Sequence, residues 1–539
     1  MNAKRLYSLI LSVTLALGSI SVASADEMQL PSPEAIDSMH LLTPVLKAET
    51  EAESEAALQS LADLDANGKL LALAQIAEFA EKQGDLEVLI AFLPYLGEDL
   101  RGSLDATTAT KILESDVYSD LFKIYVIDLA NTLDNFSSAS YNKALVDVAM
   151  DSSESDELRI YAAHDMDADM VSDPAAIYET LYNDADSMED KMLMLKDIGF
   201  VEPATARELS LDVLDNYEAY ESRIVTMANK AYIRSINGEQ ELIDDIITRN
   251  REIMAAGDAE LTNGCVLALS ELKEPEAVEL IFELESFEGV SGLYKLVDYN
   301  FDGVTAYTAE AGPASLTKIV EAVPVKEFIP IIESRMAQRS TDALSTEVGA
   351  DLLNTIEIAN SEVSTRAASS SNWDGYAVYR DGVTSAGIEI NWHAGIVVSS
   401  SGNYTTIEDI AHHSGEGATS LASYSEFLDG NSFMGGYRKT TNTSTRNKIV
   451  ATSDEMVEEA ISYTVFSLIT HNASSSDKEI SISNLQNVRC DGFVEYAYES
   501  NGQIIRGGNI STYYGAESDN AMSRTVYFPK HQAESMTKL

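Results

Sequence analysis

The stretch Asn487–Ser500, NVRCDGFVEYAYES, sets Cys490, one of two cysteines in 539 residues, directly ahead of apolar residues at helical spacing. Phe493, Val494, Ala497 and Tyr498 fall on one face of a helix whose first turn holds Asp491 and Gly492. The thiol has three readings: a small buried hydrophobe, half of a disulfide, or a nucleophile at a helix N-terminus. Which of them holds decides what kind of domain the last third of the chain forms.

The first 25 residues, MNAKRLYSLILSVTLALGSISVASA, carry Lys4 and Arg5, an apolar run through Leu17, and small residues at Ala23-Ser-Ala25. This is the pattern of a secretory signal cleaved after Ala25, and it predicts an exported protein. No later run of apolar residues is long enough to cross a membrane. The formal charge is -52, and 371–539, with 11 Lys+Arg and 20 Asp+Glu, carries only -9 of it, leaving -43 for 1–370. So acidic a surface repels phosphate backbones and anionic lipid, which argues against nucleic acid as a partner.

From Pro33 to Asn360 the chain reads as helix after helix. Segments such as KLLALAQIAEFAEKQGD (69–85), SDLFKIYVIDLANTL (119–133) and DELRIYAAHDM (156–166) show apolar residues at i, i+3, i+4 and i+7 between short polar turns. SSESDELRIYAAHDM (152–166) resembles the start of a HEAT repeat, so this half is expected to be an all-α solenoid of about seven or eight helix pairs. Cys265, in LTNGCVLALSELKEP, suits a buried helix face better than a disulfide with Cys490. Two turns have the spacing of calcium loops: Asp298, Asn300, Asp302 and Gly303, and Asp63, Asp65, Asn67 and Gly68. Their twelfth places are Ala309 and Ala74 instead of a bidentate Glu, so neither metal nor cofactor is expected.

Helical periodicity stops within 361–375, and Ser, Gly, Thr and Tyr become frequent. This divides the chain into a signal (1–25), a helical solenoid (26–362), a linker (363–372) and an α+β domain (373–539), with the solenoid and the α+β domain expected to fold independently. Strands are expected at GYAVYRD, GIEINWHAGIVVSS, YTTIEDIAH and FMGGYRK. A helix capped by Ser453, the Cys490 helix and a strand-rich end through RTVYFPK follow.

A nucleophilic thiol needs a base, and the base needs an orienting group. Of seven histidines, His393 is placed best: alternation sets it with Glu389, Asn391 and Gly395 on one face of its strand, away from Ile390, Trp392, Ala394 and Ile396. His412 and His413 are adjacent and point to opposite faces, which makes them a poor joint metal site. Glu408 and Asp409 also face opposite ways, so at most one reaches His393. On the residues alone, His393 stays open between a structural and a catalytic role.

The order DGYAVYRDG, HAGIVVS, TTIEDIA, FLDGNSFMGGYR, helix, RCDGFVEYAYE resembles the circularly permuted branch of the NlpC-type papain-like hydrolases, which includes YiiX/YaeF-type proteins. HAGIV resembles that family's His strand, TIED its Glu strand and RCDGFVEYAYE its Cys-bearing helix. The resemblance spans about 371–528 and implies a papain-like fold with Cys490 as nucleophile, His393 as general base and Glu408 as the orienting group. It departs from the family at Tyr376, where Gly-Asp is usual for Gly375-Tyr376, and at Asp491, where many relatives carry Ser. These two positions are taken as substrate-contacting. The expected activity is an exported cysteine peptidase or amidase acting on cell-wall peptides. The alternatives are a lipid amidase or acyltransferase using the same thiol, and an inert fold beside a solenoid that binds a protein partner.

Overall fold

The computed structural model describes residues 28–48, 50–83, 104–133, 136, 138–284 and 372–539, except 383, 386–387, 390–391, 402–405, 416, 476–478 and 527–528, with scattered residues between 88 and 100 and at 296, 300 and 303–307. The signal segment and almost all of the linker lie outside the described residues.

Among the described residues the N-terminal part is all α. Its helices are α1 (Pro33–Asp37), α2 (Thr43–Leu46), α3 (Glu51–Ala62), α4 (Ala66–Gln83), α5 (Ala106–Leu113), α6 (Asp120–Asn131), α7 (Ala139–Met150) and α8 (Asp156–His164). They continue as α9 (Pro174–Asp184), α10 (Met188–Val201), α11 (Pro203–Asp215), α12 (Ser222–Ser235), α13 (Gln240–Ala255), α14 (Ala259–Glu271) and α15 (Pro275–Phe282). The punctuation comes from caps: the side chains of Ser119, Ser138, Ser155 and Ser187 each accept a backbone N–H in the turn they open. Sequence neighbours pack in pairs, α7 on α8, α9 on α10 and α11 on α12, while alternate helices stack, α10 on α12 and α12 on α14. Both calcium-like turns are caps. Asp65 Oδ1 accepts Gly68 N at 2.8 Å, and Asn300, fully buried, accepts Gly303 N at 2.9 Å while donating to Leu272 O. Asp298 and Asp302 lie outside the described residues. Cys265 is a buried free thiol in the core, so it forms no disulfide with Cys490.

The C-terminal part is α+β. Its strands are β1 (Ala377–Asp381), β2 (Thr384–Ser385), β3 (Ile388–Glu389), β4 (Trp392–Ser400), β5 (Ile407–His412), β6 (Ser420–Ser423), β7 (Phe433–Arg438), β8 (Ser462–Tyr463), β9 (Ile469–His471), β10 (Leu485–Val488) and β11 (Thr537–Lys538). Between and after them come α16 (Tyr424–Leu428), α17 (Thr443–Glu458), α18 (Cys490–Glu499), α19 (Tyr513–Val526) and α20 (Pro529–Glu534). An antiparallel sheet runs β11-β7-β1-β4-β5-β6, and a small one runs β8-β10-β9. Two expectations are corrected. Ser453 lies inside α17, donating to Ile449 O, and Asn442 is the cap, so the run ISYTVFSLIT is released to form β8 and β9. The end expected to be strand-rich is helical through α19 and α20, and only Thr537–Lys538 pairs, with β7.

The two parts share one core. A single cluster of buried apolar residues runs from Ile36 through Leu269 to Cys490 and Phe493. Buried polar contacts pin the seam. Asp128 of α6 accepts Thr464 Oγ1 at 2.7 Å, Val465 N at 2.6 Å and Phe466 N at 3.2 Å. Arg223 of α12 donates to Thr419 O and Val457 O, and Tyr161 donates to Tyr463 O. Glu459, 1 % exposed, meets Lys230 at 3.1 Å, Arg234 at 2.9 Å and Lys196 at 3.7 Å. Burial pushes the Glu459 carboxyl up, but Arg234, Lys230 and Lys196 together hold it well below the usual range. The expectation of independent folding does not fit a boundary where the buried Glu459 carboxylate finds its cationic partners only on the helical side.

Candidate active site

Helix α18 begins at Cys490 because three features fix its first turn. Arg489, the cap residue, has extended backbone and donates its N–H to Leu468 O. Its buried guanidinium grips Asp491 twice, at 2.6 Å and 2.9 Å, and also reaches Val465 O. Gly492 has no side chain where β9's lead-in passes: a Cβ there would run into the Leu468 carbonyl. All ten residues of α18 are buried, so the one-sided helix expected from the sequence is enclosed on every side. Its acids are tied down, Glu495 to Gln532 and Glu499 to the N–H groups of Ile505, Arg506 and Ile510.

The sheet separates the expected partners. α18 packs on the face of β1 and β4 that carries Tyr379, Ala394 and Ile396; Gln532 bridges Tyr379 Oη to Asp491 O there. His393 pairs in register with Arg380 and stands on the opposite face, its ring 5.4 Å from that of Phe427. The space left by Gly395, expected to admit substrate, is filled by Ile410 and Phe427. Cys490 and His393 are both 0 % exposed.

His393 does have an oriented partner, and it is not Glu408. Nε2 of His393 lies 2.8 Å from Nδ1 of His412, whose strand neighbour across the ladder is Gly395. Burial, then the Arg380 charge, drives the His393 ring well below the usual imidazole range. Burial, His393 and Arg380 do the same to His412. Glu408 is exposed and accepts from Ser399 Oγ at 3.0 Å. It stands beside the Ser399–Ser400 end of β4, six residues or roughly 20 Å from His393. Register decides the matter: β5 presents its acids to the far end of β4 and its C-terminal histidine to the near end.

His413, one residue on, faces the α18 side with its ring 4.8 Å from Tyr463, the residue paired with Val488. Its Nδ1 accepts Gly415 N at 3.1 Å, which assigns the proton to Nε2, a buried atom without a hydrogen-bond partner. In that tautomer it is a donor and not a base. The opposite facing of His412 and His413 is as the sequence analysis has it. Ser414, next along, lines a cleft of about 360 Å³ between the two parts, together with Glu157, Glu189, Asp190, Ala418 and Ser420.

The two expected substrate contacts are occupied. Tyr376 is buried under the Arg446 guanidinium, 4.1 Å above its ring, and its hydroxyl accepts from Arg438. Both Asp491 oxygens are taken by Arg489. Sequence reasoning missed His412 as the partner of His393; the signal was its parity with Ile410, two residues before it on one face of β5.

No protein family and no curated protein matches the chain. A solved crystal structure of an engineered protein aligns with 60% of this chain and 99% of its own at 15% identity, with a TM-score of 0.24, too slight a likeness to show a fold.

Proposed function

We propose that the chain is a thiol hydrolase of amide bonds, with a HEAT-like helix stack and a permuted papain-like α+β part. Cys490 is the nucleophile, His393 the base, and His412 takes the orienting role first read onto Glu408. The observation that carries this is the 2.8 Å contact between His393 Nε2 and His412 Nδ1, on the strand against which the Cys490 helix packs. An imidazole held at one nitrogen presents the other in a fixed direction. A thiol at the first residue of a ten-residue helix sits where the macrodipole favours the thiolate. The thiolate adds to the substrate carbonyl carbon, the imidazolium returns its proton to the departing amine, and water then hydrolyses the thioester. The reading requires the Cys490 thiol and the His393–His412 pair, which stand on opposite faces of the sheet, to be brought together with that pair intact. With the leader-like first 25 residues, it points to cell-wall peptides as substrate.

The second reading is an inert fold beside a binding stack, favoured by the complete burial of Cys490 and His393 on opposite faces of one sheet. Incubation of the whole protein with purified cell wall and, separately, with N-acyl lipids, followed by mass spectrometry of the products, separates the two. Wall fragments released by the protein and absent with Cys490→Ala support the hydrolase. Released acyl chains instead assign the lipid reading. No product in either incubation, with equally slow iodoacetamide labelling of Cys490 and Cys265, overturns both the wall and the lipid hydrolase readings and supports the inert fold.

A further inference from the structure

A second polar cavity lies wholly within the helical part. It holds about 250 Å³ between the end of α6, the start of α7 and the turn after α8. One wall is tied by a reciprocal pair: Asn142 Nδ2 donates to Asp167 O at 3.1 Å, and Asp167 N donates back to Asn142 Oδ1 at 2.7 Å. Phe136 and Tyr141 meet edge to face, their centroids 5.1 Å apart, and Leu133 and Leu145 complete an apolar side.

Two buried polar atoms on this lining have no hydrogen-bond partner. One is the hydroxyl of Tyr141, a residue 5 % exposed; the other is Oδ2 of Asp165. Buried polar atoms are nearly always paired, and an unpaired couple on residues that line one cavity needs an explanation. Asp165 is doubly awkward, because it is the C-terminal cap of α8, where the helix dipole opposes a negative charge. Burial pushes its carboxyl up to about 7, against the lowering pull of His164. Burial and the Asp165 charge both push the Tyr141 hydroxyl well above its usual range.

An anion is excluded by Asp165 and Asp167 on the same lining. No group of three metal-ligating side chains exists among the described residues. A group that donates hydrogen bonds, carries positive charge and has a short apolar body satisfies every wall at once, and the aromatic faces also attract a cation.

We propose that this cavity binds a small organic ammonium, its N–H groups bonded to Asp165 Oδ2 and Tyr141 Oη and its hydrocarbon part laid against Leu133, Phe136 and Leu145. The site is independent of Cys490. Calorimetric titration of the intact protein with n-butylammonium chloride tests it, with 1-butanol and sodium chloride as controls. Saturable binding of butylammonium alone is expected, weakened at least ~10-fold in Asp165→Asn, which removes the charge and keeps the shape. Binding of 1-butanol with equal affinity, no binding of butylammonium at tens of millimolar, or unchanged affinity in Asp165→Asn overturns the proposal. Should Asp165→Asn fail to fold, Tyr141→Phe takes its place: a several-fold loss of affinity supports the site, and no loss overturns it.

Discussion

Nε2 of His393 and Nδ1 of His412 lie 2.8 Å apart, on neighbouring strands whose register leaves Glu408 at the far end of the ladder. If the hydrolase reading holds, His412→Ala lowers kcat by about 10²-fold or more, because the ring of His393 loses its orientation and tautomer. His412→Asn, which retains an acceptor, recovers part of that loss. Glu408→Gln leaves kcat within about 2-fold, since its exposed carboxylate accepts from Ser399 at the far end of the ladder from His393. A larger effect from Glu408 than from His412 would restore the assignment read from the sequence.

Stability should fall on mild acidification. His393, His412 and His413 are all driven well below the usual imidazole range, each chiefly by burial. In the unfolded chain these rings bind protons near pH 6.5. Their contribution is therefore present above about pH 6.5 and lost as pH falls below it. His164 acts the other way: burial lowers it, but Asp197 at 2.8 Å raises it overall, so its contribution is present below about pH 6.5 and lost at higher pH. His471, lowered chiefly by burial, is a fourth such ring, while the Asp165 carboxyl, pushed up to about 7, sides with His164. Four groups against two leave a net loss between about pH 6.5 and 5, measurable by urea unfolding across that range. A flat profile there, or an unchanged slope in His412→Asn, would contradict the burial of these rings.

Glu459→Gln should cost about 3–5 kcal/mol, because it leaves Lys196, Lys230 and Arg234 around a neutral amide in a buried seam. In the parent the carboxylate's contribution is complete above about pH 4.3 and is lost as pH falls below that. The fragment from residue 372 to 539 should fail to fold cooperatively in isolation. A soluble fragment with a sharp melting transition would show the shared core to be dispensable.

Glycine substitutions give a paired test of the thiol helix. Gly492→Ala drives a methyl into the Leu468 carbonyl and should destabilise by about 1–3 kcal/mol, visible in the urea midpoint. Gly199→Ala, in α10 with only Ala206 at 3.9 Å, should be neutral or stabilising by up to about 1 kcal/mol. Equal costs for the two would mean that the close approach at Gly492 does not exist in solution.

Much of the architecture was legible because it is written locally. Serine caps and 3.6-residue spacing announced the helices, and alternation assigned His393 and Ala394 to opposite faces of β4 before any fold was known. Cys490 at a helix start and Cys265 in the core were legible for the same reason. What failed depended on partners far away in the chain. The register between β4 and β5 follows from a hairpin whose length carries no pattern, so Glu408 and His412 could not be ranked. Ser453 looked like a cap because acids follow it, yet Asn442 starts the helix eleven residues earlier. Asp491 looked free to meet substrate because nothing in the sequence reveals that Arg489 folds back onto it.

The charges at the seam also impose an order in time. Lys196, Lys230 and Arg234 belong to helices made early, while the acid that meets all three, Glu459, is made more than two hundred residues later. Until it arrives, the growing helical part holds a cationic, apolar face turned to solvent, on a chain that is otherwise strongly acidic. Such a face invites self-association through the protein's own carboxylates. The α+β part therefore acts as a late-arriving cover for that face.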